Sequence, residues 1–290
     1  MLFAGCACSR IESTGVEEAV QLRFDPVLMA VAKADAPGEY PADVPFGVQV
    51  WDYPLGDDAT AGSVFLDDAR ITQNNGEWGP TPGVLWPGVD HELAVLAYSP
   101  FGKASAVNMT EGIQFKDVDT AVDQTDLLYT ELRQGLHRND GGVVNLPFHH
   151  ALCYVDFAVR TNASSEERVE VRSVSIASLV TQGSFRSLPQ PEWTLSGPAH
   201  LVTFFNGLKL IGSTNTLLPG SGVWVLPQEV NSVIHLDMDY TASNGVIIPF
   251  FRESDPLVKN LEPGRHYTIV LSYLSGEERL EVDNTSRQNP

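Results

Sequence analysis

Positive charge is scarce in this chain of 290 residues: 18 Lys+Arg stand against 37 Asp+Glu, for a formal net charge of −19. A nucleic-acid backbone needs a dense cationic face, so no nucleic acid is expected as a partner. Cysteine is scarcer still, and Cys6, Cys8 and Cys153 cannot build a disulfide scaffold. No apolar run approaches the roughly 18 residues of a membrane-spanning helix. Hydrophobic residues nonetheless make up 43% of the chain and charged ones 19%, which excludes general disorder.

Signs of catalysis are missing too. There is no Gly-x-Ser-x-Gly elbow, no papain-like or caspase-like cysteine context and no phosphate-cradling loop. His149-His150 is the first pair to test as a metal site, but consecutive residues of a strand point to opposite faces. No Glu or Cys stands at a ligand spacing from them, and His91, His137, His200, His235 and His266 are scattered. One histidine packed and one solvated is the expected arrangement. Cys153 sits among apolar neighbours and reads as an inert buried thiol. The pairs Asp57-Asp58, Asp67-Asp68 and Glu277-Glu278 read as solvated turns. No catalytic residue, metal ligand or cofactor is therefore expected, and the chain is not expected to be an enzyme.

What the chain has in quantity is turn formers and alternation. Its 24 Gly and 19 Pro leave few segments able to sustain a helix, the best being the short stretch 126–136. Residues 20–25, 46–51, 92–98, 153–159, 169–176, 223–226, 233–240 and 267–273 alternate as strands. Asn74-Asn75-Gly76, Asn139-Asp140-Gly141-Gly142 and Pro219-Gly220-Ser221-Gly222 punctuate them. Many short strands with such turns predict an all-β sandwich class. One sandwich takes about 100 residues, so two tandem domains are expected. The break at Asn139-Asp140-Gly141-Gly142 divides them into 20–141 and 142–290, with the strand from Val143 opening the second.

The opening run Phe3-Ala4-Gly5-Cys6 resembles a bacterial lipoprotein cleavage site, with Cys6 the lipidated residue and Cys8 a weaker second choice. A basic region and apolar stretch do not precede Cys6, so the translation start is expected upstream. Residues 1–19 then read as a signal remnant and a tether from the outer membrane.

A succession of short tags follows. Glu39-Tyr40-Pro41, Phe46-Gly47-Val48-Gln49-Val50-Trp51, Leu85-Trp86-Pro87, Leu96-Ala97-Tyr98-Ser99-Pro100 and Asp126-Leu127-Leu128-Tyr129 come in order. Val144-Asn145-Leu146-Pro147-Phe148-His149-His150-Ala151-Leu152, Leu226-Pro227-Gln228 and Leu261-Glu262-Pro263-Gly264-Arg265-His266-Tyr267 come after them. Each is architectural in itself: Pro87 and Pro100 stop strands because proline cannot donate to a ladder. Together, across about residues 20 to 275, they resemble the fimbrillin family of Bacteroidia, the Mfa-like pilins and their relatives.

The resemblance implies two transthyretin-like β-sandwiches in an exported, lipid-anchored protein of the outer membrane and fimbrium. It implies a cut after Arg or Lys that removes an N-terminal strand, and a segment of another subunit that fills the vacated groove. Here the removable strand would carry Val20, Leu22, Phe24, Val27, Leu28, Met29 and Val31. Lys33-Ala34 is the preferred processing bond, with Arg23-Phe24 and Arg10-Ile11 as alternatives. Lys33 stands where many relatives have Arg, which bears on cleavage by an Arg-specific protease. After Gly276 only Leu280 and Val282 alternate, and 283–290 is polar, which favours a minor, tip or anchor subunit over a shaft subunit. Expected partners are other pilus subunits, the outer membrane, and a host protein or glycan. The alternative is a lipid-anchored glycan-binding protein with Trp78 and Trp193 as sugar platforms; core packing is the expected role of most of Trp51, Trp78, Trp86, Trp193 and Trp224.

Overall fold

The computed structural model describes residues 19–29, 38–138, 141–164, 167–242 and 244–283. Almost every described element is a strand, and the one described helix is a single 3-10 turn at Ala59–Ala61. The all-β class expected from alternation is what the chain adopts.

The first half contains β1 (Arg23–Leu28), β2 (Gly38–Glu39), β3 (Phe46–Pro54), β4 (Ser63–Asn74), β5 (Glu77–Pro80) and β6 (His91–Ser99). β7 (Ala106–Asn108), β8 (Gly112–Asp119), β9 (Leu128–Tyr129), β10 (Arg133–Leu136) and β11 (Val143–His150) follow. One sheet runs β10-β6-β3-β4-β5-β1-β11-β9, and β9 also pairs with β6, so the sheet closes on itself. β1 lies inside this sheet, between β5 and β11. Alternate side chains of these strands fill the first core, with Phe46, Val48, Ile71, Val95, Leu146 and Phe148 buried.

The second half contains β12 (Cys153–Thr161), β13 (Arg168–Arg186), β14 (Glu192–Ile211), β15 (Thr216–Leu217), β16 (Val223–Val225) and β17 (Gln228–Ser232). It ends with β18 (Ile234–Thr241), β19 (Ile247–Glu253), β20 (Leu257–Leu261), β21 (His266–Leu274) and β22 (Arg279–Asp283). A sheet built on β12 and β21 faces one built on β13 and β18, as a sandwich does. Phe157, Ile269 and Leu271 on one side meet Val171, Leu236 and Met238 on the other.

Two pairings cross the boundary expected at 141–142. Val143, read as opening the second domain, lies in β11, which pairs in parallel with β1 and so belongs to the first sheet. β8 goes the other way, leaving the first half to pair with β13 from Gln182↔Asp119 to Arg186↔Gln114. Between the two halves a third core gathers Trp51, Tyr98, Phe115, Tyr129, Leu152, Phe185 and Leu226. Phe115 stacks on Phe185 at 5.7 Å.

The helical candidate 126–136 is instead β9 and β10. Leu128 enters the first core while Leu127 and Tyr129 enter the third. A strand between two cores is apolar on both faces, and a short apolar run of that kind is easily taken for a helix.

Candidate functional site

The expected removable segment forms β1 and its lead-in, and its alternation is realised in the fold. Leu22 and Phe24 are 1% and 3% exposed, and Pro26 is buried behind them. Gln21 and Asp25 face solvent. Val20, Val27, Leu28 and Met29 are half-buried, with Val20 and Leu28 packed on the first core.

On one side β1 pairs with β11 throughout, from Arg23↔Val143 to Leu28↔Phe148. On the other side it meets β5 at Phe24↔Trp78 and β2 at Val27↔Glu39 and Leu28↔Gly38. The lead-in is held by Leu22 N donating to Val84 O at 2.8 Å and Trp86 N donating to Val20 O at 2.8 Å. The seat of the strand is thus long and regular toward β11, and short toward β5.

Aromatic rings line that seat. Phe24 meets Phe46 edge-on at 6.3 Å, and Phe46 touches Trp78 and Phe148 at 5.4 Å. Tyr40 lies among them, 5.2 Å from Phe148, with its hydroxyl sharing a 2.6 Å hydrogen bond with Ser99 Oγ. Burial, only partly offset by that bond, pushes the Tyr40 hydroxyl from 10.0 up to about 12. Trp86 closes one end, its indole N–H donating to Gly142 O at 3.0 Å. Alternation identified Leu22 and Phe24; Tyr40, Trp86 and Pro26 were not among the expected groove residues, since their roles depend on contacts distant in sequence.

Arg23 donates to Glu77 at 2.6 Å across to β5, with both side chains largely exposed. Its backbone N–H donates to Gly142 O, so the Arg23-Phe24 bond lies inside the ladder while β1 is seated. Cys6, Arg10, Val31 and Lys33 lie outside the described residues.

The other candidates are absorbed by packing. Trp78 is buried in the first core, and Trp193 is half-buried with its N–H donating to Ala151 O at 2.7 Å. His149 and His150 are both half-buried, so neither is the solvated partner expected. His150 meets Asp126 at 2.9 Å and stacks on Trp224, whereas His149 lies by the Tyr129 ring with its pKa lowered by burial. Among the described residues no group of three or more His, Cys, Asp or Glu could hold a metal ion. Cys153 is buried, which pushes its thiol up to about 12. At the far end of the chain β22 is committed to its own sheet, with Leu280 buried in the second core.

A family model described as fimbrillin-like matches residues 45–285. Among curated proteins none matches the chain. A solved fimbrial protein from Bacteroides vulgatus is similar with a TM-score of 0.68 and 15% identity, over 93% of this chain and 99% of that one. A proposed cell adhesion protein from Bacteroides uniformis gives 0.58 at 14% identity, over 93% of this chain and 97% of that one. Another from Bacteroides ovatus gives 0.57 at 13%, over 93% and 96%. At these identities the likeness to solved structures is one of fold, and the proteins named are fimbrial or adhesion proteins, not enzymes.

Proposed function

Because the chain belongs to the fimbrillin-like family, whose model spans 45–285, we propose that it is a structural subunit of a surface fimbrium in which β1 is exchanged for a strand of another subunit. The observation that carries this reading is the seat of β1: a strand inside a closed sheet, laddered fully on β11 yet joined to β5 at a single pair. Removing it would open the sheet and uncover Phe46, Trp78 and Phe148, creating an apolar slot with two new edges. Each large apolar side chain buried by a replacement strand contributes roughly 1.5–3 kcal/mol. Two or three such positions with a ladder beside them can outweigh the cost of ordering the segment.

In this reading processing falls at Lys33-Ala34, because the Arg23-Phe24 bond is tied into the ladder. The Cys6 lipobox-like run supports a lipid anchor in the outer membrane, and the committed β22 favours a minor, tip or anchor position. The subunit contributes to adhesion through the fibre, with a host protein or glycan as the contact. In the same reading the two units divide after β11, near Ala151-Leu152, a division supported by the pairing of β11 with β1. Trp78 is buried in the first core, so of the two named residues the glycan-platform alternative keeps the half-buried Trp193.

The test is mass spectrometry of protein from its native membrane, before and after limited trypsin. A product beginning at Ala34, followed by denaturant-resistant ladders on a gel, is expected. A protein that trypsin leaves whole and monomeric would sink the proposal, and an unmodified Cys6 would remove the lipid anchor.

A further inference from the structure

The backbone parity of β1 specifies what could replace it. Arg23 N donates to Gly142 O at 2.9 Å and Met29 N to Phe148 O at 2.8 Å. In a parallel ladder alternate residues turn their N–H and C=O to the same neighbour, so the odd-numbered positions 23, 25, 27 and 29 face β11. Even-numbered positions face the other way: Leu22 donates to Val84 O, and Phe24 pairs with Trp78. Pro26 falls on the even side, past the Phe24↔Trp78 pair, and its missing N–H therefore removes no bond to β11. Proline is otherwise confined to edges and bulges; inside this closed sheet Pro26 falls where β5, paired at Phe24↔Trp78, gives way to β2, paired at Val27↔Glu39 and Leu28↔Gly38. Pro147 of β11 obeys the same rule: it is paired with Val27, but β11 donates to β1 from 144, 146 and 148.

Side chains follow the same parity. The even positions 22, 24 and 26 are buried, with Phe24 seated against Phe46, while Arg23 and Asp25 point outward. The Arg23–Glu77 pair is exposed on both sides and adds little to the selection.

Resting on the strand-exchange reading, we infer that the slot selects a segment of another subunit with large apolar side chains in the registers of Leu22 and Phe24, accepting proline in the register of Pro26 and rejecting it one residue to either side. The partner is thus recognised by parity as well as by hydrophobicity. A segment with the right composition shifted by one residue would turn its apolar side chains to solvent. It would also set its proline against the β11 ladder.

The full chain, with a site-specific protease sequence inserted between Lys33 and Ala34 and then nicked, retains β1 and can be challenged with labelled peptides copying residues 20–31. Native mass spectrometry reads how much bound β1 each peptide displaces. The unaltered peptide and its Pro26→Ala form are expected to enter comparably. Asp25→Pro, Val27→Pro and Phe24→Ala are each expected to lose about 100-fold or more. Entry of Asp25→Pro and Val27→Pro as readily as the unaltered peptide would overturn the parity rule and leave strand exchange standing. Failure of every peptide, with the nicked protein still folded by near-ultraviolet circular dichroism, would overturn strand exchange itself and the rule with it.

Discussion

Phe24→Ala tests whether β1 opens as a unit of its own. Phe24 is 3% exposed and its ring meets Phe46 at 6.3 Å in the first core. Truncating a buried phenylalanine costs about 3–5 kcal/mol, the transfer and cavity terms together. If β1 detaches locally, that loss falls on the local opening free energy. Cleavage at Arg23 by dilute trypsin should then accelerate by roughly 10² to more than 10³-fold, since cleavage under these conditions follows the open population. The matched control is Ile269→Ala, a truncation in the second core with a global cost of about 2–5 kcal/mol. Urea midpoints measure the global cost of each variant, and mass-resolved time courses measure the Arg23 product. Equal acceleration by Ile269→Ala would show that Arg23 is exposed only by global unfolding. That result would refute the reading of β1 as a detachable strand.

Three other outcomes are expected. Phe115→Ala, which removes the stack on Phe185, should split one calorimetric transition into two by uncoupling the halves; a single, merely shifted transition would show that the third core does not join them. Gly222→Ala sets a Cβ against the Tyr154 ring and hydroxyl, which must shift where they pack on Trp224, and a stability loss of about 1–3 kcal/mol in urea is expected. An unchanged urea midpoint would contradict that close approach. Burial pushes Tyr40 and Tyr129 from 10.0 up to about 12, and Cys153 from 9.0 up to about 12. The unfolded chain releases these protons first, so stability is full below pH 9 and falls as pH rises toward 12, by about 1.4 kcal/mol per pH unit for each group. Tyr40→Phe should make that fall shallower, and a slope equal to the parent's between pH 10 and 12 would rule out the Tyr40 contribution.

Alternation was a good guide where a strand is long enough to show its period, even between two cores: β3 and β6 send alternate residues into the first and the third. The runs 46–51, 92–98, 153–159 and 267–273 all lie within β3, β6, β12 and β21. It was silent on β14, where exposed Leu195, Leu201, Leu208 and Leu210 sit among polar residues without a strict period. Only Phe204, Phe205 and Ile211 of that strand are buried in the second core; the rest is held by its ladder to β13, and backbone bonds leave no trace in side-chain type. It also misled at 126–136, where both faces of a two-residue strand are buried in different cores.

The sequence alone determined the all-β class, the absence of a catalytic set, the family resemblance and the apolar face of the segment at 20–31. Side-chain type and local period are enough for those, because they state which face of a strand seeks burial. Only the tertiary structure decided which strand lies beside which. It put β11 next to β1, lent β8 to the second half, joined the halves through a third core, and turned Pro26 away from β11. Pairing is made by backbone groups that every residue except proline shares, between segments far apart in the chain. Period two tells a strand its faces but not its neighbours.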